Sequence, residues 1–440
     1  MGRLNFLFEK ADIKQIAIIR IMIGVWFFVE CVGMMLIGWM QEAYIHSKMN
    51  FPFYGFEWIH RLPPAGMYAL YATLSLAALG IAFGYRYRLS LGVFFAGFLY
   101  VFMLDIVYSL NKFYLFLILT FLMMFIDAHR YWSLDAKRKP RIKRNYIPRW
   151  NILIFQVFIG MIYFYSGIAK LNVDWIYHSE PLRTFFGRKP YFTRWGPEVF
   201  DVIVYSFSMG GLVFDLLIAY LLAFRKTRFF ANVVQGSFHT LNFFLLSIGT
   251  LSIFTGLATW LFFPTKWLIR KLDIKKFPKE AFPYTLKSKR IIAVGLSIFL
   301  TVHLLIPHRH YFTGNNVNWT EKGHRFSWRL MTRTKSGSRS MFHVKDPKTG
   351  EHWTVNPMDH LSWRQYRKMS AETDLVLVFS YYLEELWKEK GFDDVVVTAE
   401  IKTKLNGRTP NFLVDPNLDL TKCERTLLID DFSTELKPRE

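Results

Sequence analysis

Gln156 to Lys170 reads QVFIGMIYFYSGIAK, an apolar run that ends on a lysine. Extended back to Trp150, it is long enough to cross a bilayer, since a hydrocarbon core of roughly 30 Å takes about 20 apolar residues in a helix. The pattern recurs, giving candidate spans over 16–38, 66–84, 89–108, 113–126, 150–170, 201–223, 229–249, 251–264 and 290–306. The spacing predicts an α-helical polytopic membrane protein with about nine transmembrane helices. Composition agrees: the 440 residues are 52% hydrophobic and 18% aromatic, with only 20% charged. That excludes a disordered chain, a disulfide scaffold and a purely cytosolic enzyme. The first run is too long for a removable signal core and no small-residue cleavage site follows it, so an uncleaved anchor is expected.

The net charge of +21 takes its meaning from its location. From residue 307 onward there are 21 Lys and Arg against 19 Asp and Glu, which leaves 34 against 15 in the preceding portion. The excess lies in short loops between apolar runs, which suits topology determinants and anionic lipid rather than nucleic acid. Asp127 to Arg149 carries eight basic residues against two acids, and Pro264 to Arg290 carries nine against two. With Arg86, Arg88, Arg225, Lys226 and Arg228, these segments predict a cytoplasmic amino terminus and, after nine crossings, an extracytoplasmic tail. Cys31 and Cys423 are too few to define a metal cage or a disulfide framework.

Residues 1–306 therefore read as a transmembrane helical bundle and 307–440 as a separate α+β cap. In the tail, alternating residues flank Asp346-Pro347-Lys348-Thr349-Gly350, a hairpin turn. Ser370 to Lys390 has helical apolar spacing, Val395 to Leu405 alternates like a strand, and Asn406-Gly407 is a second turn signal. Neither a phosphate-binding loop nor a zinc-protease motif is present.

Ionisable side chains inside apolar runs are costly and face the bundle interior. Glu30, Asp105, Lys170, Asp215, His239 and His303 meet that description, and six together predict an internal polar chamber. Lys170 is the sharpest case, because an ammonium in an apolar pocket loses hydration and becomes available as a base. Spacing alone does not separate it from an interfacial anchor. In NNVNWTEKGHRFSWRLMTRTKSG, residues 315–337, arginines alternate with Trp319, Phe326 and Trp328. This suits either a carboxylate ligand or an aromatic belt facing headgroups. His308, His310 and His324 have no acid or Cys at ligand spacing, so no metal is expected.

The run YFYSGIAKLNVDW, Tyr163 to Trp175, resembles the lysine-bearing segment of vitamin K-dependent gamma-glutamyl carboxylases. FIDAHRYWSLD at 125–135, GGLVFDLLIAYLLAF at 210–224 and SFHTLNFFLLSIGTLS at 237–252 are similar to further family segments, as are NNVNWTEKGHRFSW, Asn356-Pro357 and FLVDPNLDL in the tail. The likeness covers most of residues 20–420 in one order. It implies an enzyme that couples oxygenation of reduced vitamin K, the hydroquinone, to carboxylation of glutamate in a protein or peptide. Oxygen and carbon dioxide are the co-substrates, and γ-carboxyglutamate and vitamin K epoxide are the products. It places Lys170 at the catalytic lysine that deprotonates the hydroquinone. The family histidine that assists the lysine falls at Arg130, with His129 one position earlier, so His129 is the candidate for that assistance. Asp105, His239 and Asn242 are expected around the quinone, and Ser327, Trp328, Arg333 and Arg364 around the glutamate, with Arg333 carried over on charge because the family commonly has histidine there. The animal family's disulfide has no matching cysteines here. The implied setting is a multi-pass protein of a bacterial inner membrane. A quinone epoxidase without carboxylation and a membrane transporter or sensor are the alternative readings.

Overall fold

The computed structural model describes residues 2–246, 256, 259–262, 282–314, 316–427 and 432–439. Helices start and stop where the chain supplies terminal partners. Asp12 precedes the first membrane helix, Ile13–Leu36, and its carboxylate accepts from the Lys14 amide at 2.8 Å, satisfying a donor with no partner inside the helix. Pro64 opens Pro64–Phe83 where its missing N–H is harmless, and Gly84 closes it in left-handed backbone at φ 62°.

Among the described residues six helices are long and apolar enough to cross a membrane: Ile13–Leu36, Pro64–Phe83, Tyr87–Leu104, Trp150–Lys170, Pro197–Ala223 and Leu286–Phe312. The expectation of nine is thus met by six. The fourth candidate forms Asn111–Met124, whose 14 residues extend about 21 Å and fall short of a hydrocarbon core. The seventh forms Arg228–Leu246, where Asn232, Gln235, His239 and Asn242 recur at three- and four-residue spacing and make one face polar. The eighth, 251–264, and the basic segment 264–290 lie mostly outside the described residues.

The basic connections gather at one end of the bundle. Arg88 pairs with Asp127 at 2.7 Å and the Arg86 amide bonds Asp135 at 2.9 Å. At the same end strand β1 (Lys10–Asp12) pairs antiparallel with β2 (Tyr146–Pro148), and Arg149 meets Glu9 at 2.8 Å. The tail docks at the opposite end. Its sheet runs β4-β3-β5-β6, all antiparallel, from β3 (Lys335–Lys345), β4 (His352–Val355), β5 (Val396–Leu405) and β6 (Asn411–Phe412). The turn 346–350 joins β3 to β4 as expected, and Asn406 and Gly407 adopt φ 47° and 77° between β5 and β6.

The expected tail helix over 370–390 is present as Thr373–Glu389, and a shorter helix precedes it. Ser362 and Gln365 form a capping box that starts Trp363–Met369, Ser370 ends that helix, and Thr373–Glu389 follows. Phe379 of the longer helix packs edge-on against Phe342 of β3 at 4.8 Å, closing an α+β core. The shorter helix pins the tail to the bundle. Gln365 donates to Asp105 and to the Met49 carbonyl, each at 2.9 Å, and Tyr108 bonds Ser362 at 2.8 Å.

Candidate active site

Lys170 ends the Trp150–Lys170 helix with its side chain only 6% exposed. Its Nζ lies 2.6 Å from Asp215 Oδ2, 2.7 Å from Ser166 Oγ, and 3.2 Å from the carbonyls of Ser166 and Leu330. Ser166 also donates to Asp215 at 2.7 Å, and the Trp175 ring lies 5.0 Å from Nζ. Every polar neighbour of the amine is an acceptor, which matches the donor set of an ammonium. The pocket is therefore polar on one side, where the sequence reading expected an apolar one.

Two features of the sequence build this contact. Ser166 and Lys170 are four residues apart and share a helix face. Gly167 lets the neighbouring Pro197–Ala223 helix approach, because a β-carbon there would stand 2.8 Å from Leu216 Cδ2 and 3.0 Å from the Leu216 amide nitrogen. Asp215 is the residue before Leu216, so the close crossing delivers its carboxylate to the lysine.

Further along the same lysine-helix face, Tyr163 Oη bonds His239 Nε2 at 2.6 Å. Phe214 stacks on Phe238 at 3.7 Å beside them. Asn242 is half-buried one turn along from His239. An aromatic roof, to which the tail contributes Trp328, covers this region. Trp328 is 3% exposed and packs 5.2 Å from Tyr114 and 5.8 Å from Phe158, while His303 meets Phe158 at 5.2 Å.

The roof belongs to a loop in which Glu321, Phe326, Trp328 and Met331 all adopt positive φ, from 54° to 66°. Such backbone costs about 1–3 kcal/mol per non-glycine residue and persists only where surrounding contacts dictate it. Here the contacts are ionic. Arg333 holds the Glu321 carboxylate through Nε at 2.7 Å and through a second guanidinium nitrogen, and a third reaches His324. Lys335 and Lys368 stand 3.7 and 3.9 Å from Glu321. Burial works to raise the Glu321 carboxyl, but Arg333, Lys368 and Lys335 outweigh it and hold it well below the usual range. Burial, with Arg333 adding to it, holds His324 well below the ordinary imidazole value, so the ring is a neutral acceptor for Arg333.

A cavity of about 700 Å³ opens on the other side of this cluster, between bundle and tail, lined by Arg333 and Arg364 among other cations. A smaller cavity of about 100 Å³, lined by Glu321, His324, Arg333, Phe326 and Tyr114, adjoins it toward the roof. Lys170 is not a lining residue of either.

The expected site residues thus separate into groups. Lys170, His239 and Asn242 belong to the bundle interior, and Trp328 covers it. Arg333 and Arg364 line the seam cavity, although Arg364 is half-exposed, pairing with Glu42 at 3.0 Å over the Trp39 ring. Ser327 is buried and spends its hydroxyl on the Gly323 and Arg325 carbonyls at 2.7 and 3.2 Å. Asp105 sits at the bundle–tail seam, saturated by the Val107 amide and Gln365. His129 stacks on Tyr87 at 4.9 Å at the basic end of the bundle. It is separated from Lys170 by the length of the lysine helix, whose 21 residues span about 30 Å. His129 therefore does not touch the lysine, and Arg130 beside it pairs with Asp127 at 2.7 Å. Sequence reasoning named Asp215 without its partner and missed Ser166, Tyr163, Glu321, Lys335 and Lys368. The i, i+4 spacing of Ser166 and Lys170 was the one local signal available.

The HTTM domain model matches residues 8–267, and the model of the vitamin K-dependent gamma-carboxylase lumenal domain matches residues 288–437. The chain belongs to the vitamin K-dependent gamma-carboxylase family. No solved structure matches it. In this carboxylase-family chain the second match begins inside the Leu286–Leu305 helix, upstream of the division at 306 and 307 read from the sequence. The paired lysine falls in the HTTM part and the Glu321 cluster in the lumenal part, so the candidate site draws on both.

Proposed function

We propose that this chain is a membrane carboxylase that couples oxygenation of reduced vitamin K to carboxylation of peptide glutamate. The observation that carries the reading is Lys170, sealed against Asp215 and Ser166 beneath a strained loop whose other flank borders the cation-lined seam cavity. Reduced vitamin K supplies, once deprotonated and oxygenated, the strong base that the glutamate γ-carbon requires. Tyr163, His239 and Asn242, beside the stacked Phe214 and Phe238, are a donor, acceptor and aromatic set that fits a hydroquinone.

The protein's own part is proton handling and exclusion of water. Lys170 can pass a proton from Nζ to Asp215 Oδ2 across 2.6 Å, after which the neutral amine accepts one from a phenol. Ser166 bonds both partners and holds them in register. Trp328, Phe158 and Tyr114 shield the pocket from the seam, which protects a strong base from quenching by water. Arg333 and Arg364 face the cavity where a glutamate carboxylate would rest. The tail is proposed to be extracytoplasmic and the amino terminus cytoplasmic, in a bacterial inner membrane, because the Arg86, Arg88 and 127–149 segments gather at the end away from the tail.

The test uses purified full-length protein with reduced vitamin K, oxygen, labelled bicarbonate and a glutamate-rich peptide. Label in the peptide together with epoxide supports the proposal, and Lys170→Ala should abolish both. Epoxide without label would point to an epoxidase, and neither product from a folded protein would refute the reading.

A further inference from the structure

The seam cavity carries more positive charge than one glutamate needs. Arg188, Arg333, Lys335, Arg364, Arg367 and Lys368 line it against a single carboxylate among the described lining residues, Glu321. Internal pairs account for half of these cations. Arg333 grips Glu321 in bidentate fashion, Arg364 meets Glu42, and Lys368 pairs with Glu372. Arg188 and Arg367 reach no carboxylate among the described residues. Lys335 donates to the Trp319 and Ala371 carbonyls, and its nearest carboxylate, Glu321 at 3.7 Å, is already held by Arg333. Two guanidiniums and one ammonium thus line the cavity with no carboxylate of their own to cancel their charge, drawn from the bundle side (Arg188), from β3 (Lys335) and from the Trp363–Met369 helix (Arg367).

One carboxylate would leave a surplus of two charges, whereas two carboxylates on one side chain meet all but one. Planar guanidiniums suit that ligand, since each can take one carboxylate through two nitrogens. We infer that the seam cavity is a two-carboxylate site that holds a geminal dicarboxylate, as on a carboxylated glutamate, more tightly than the monocarboxylate it came from. Burial pushes Lys335 down to about 8 although Glu321 pulls the other way, and a second anion beside it relieves that cost. The inference rests on the proposed carboxylation only for the source of the ligand. Its consequence is product retention: a carboxylated residue stays in the seam until another anion displaces it.

The experiment titrates malonate, propionate and glutarate into the full chain in detergent without quinone, read by calorimetry. Malonate should bind at least about tenfold more tightly than propionate, and glutarate, whose carboxylates are three carbons apart, should fall between them. Arg188→Gln with Arg367→Gln should remove the malonate advantage while the thermal midpoint stays unchanged. Equal affinities, no binding of any acid, or an advantage that survives the double substitution would each overturn the inference. Lys170→Ala should leave malonate binding intact, so a failed carboxylation assay and a failed dianion site are told apart.

Discussion

Replacing Asp215 by Asn tests whether the lysine pocket is a working pair or a structural clasp. The substitution keeps the shape and an amide oxygen near Nζ but removes the charge that faces Lys170 at 2.6 Å, where both side chains are under 8% exposed. Removing one partner of a buried ion pair leaves the other charge uncompensated and costs about 3–5 kcal/mol. The Ser166 hydroxyl and the Ser166 and Leu330 carbonyls still accept from Lys170, so the lower end, about 3 kcal/mol, is expected. Lys170→Met should cost a similar amount, because Asp215 then keeps only the Ser166 donor. The double variant Lys170→Met with Asp215→Leu should recover most of the loss, since replacing both members by apolar groups of similar volume is close to neutral. Thermal midpoints of the four proteins in one detergent give the comparison, and epoxide formation is measured on the same samples. Asp215→Asn should lower turnover about a hundredfold, within the range of general-base contributions, and the double variant should be stable and inactive. A stable double variant that still forms epoxide, or an Asp215→Asn protein that loses stability at full turnover, would refute the proposed proton transfer.

Two further outcomes follow from the same geometry. Gly167→Ala drives a β-carbon into Leu216, backbone nitrogen included, so the helices must separate. That should cost about 1–3 kcal/mol of stability and about a hundredfold in turnover through a displaced pair, whereas Gly210→Ala, which meets open space, should leave both unchanged; activity and thermal midpoint are the readouts. Acid should weaken the tail in two stages. His324 and Glu321 both have folded values below their ordinary 6.5 and 4.5, so their contribution is complete above those values and is lost as pH falls, first below about 6.5 and then below about 4.5. The thermal midpoint against pH should therefore fall on the acid side, and His324→Gln should flatten the limb between pH 6.5 and 4.5; an unchanged limb would remove His324 from the account.

What the sequence revealed, and what it hid, divides along physical lines. Span length and composition are local properties, so the six long helices and the α+β tail were legible, as was a lysine closing an apolar run. The Lys170–Asp215 contact depends on the register of two helices packed at Gly167, which no single-helix pattern encodes. The family resemblance misled in the opposite direction. The motif around His129 reads like part of the lysine's site, yet it lies at the other end of the helix. Asp105 reads as a buried functional acid, but the Gln365 that saturates it comes from the tail. Nothing in the sequence marks Glu321 and Lys335 as a buried pair, because the left-handed backbone at Glu321, Phe326, Trp328 and Met331 occurs at non-glycine residues and has no sequence signature.

The two charged clusters obey different electrostatic rules, and the difference agrees with the tasks proposed for them. Inside the bundle, where the surroundings are apolar, Lys170 and Asp215 cancel within 2.6 Å and leave no net charge to be solvated. At the seam, which opens to solvent, cations outnumber carboxylates and some remain unmatched. A net charge is tolerable there because water and arriving anions can neutralise it. On the proposed reading a proton moves between balanced partners in the interior, while an anionic side chain is drawn to the seam by its surplus charge. The strained loop from Glu321 to Met331 is the wall between the two, fixed on one side by Arg333 and on the other by the Leu330 carbonyl on Lys170.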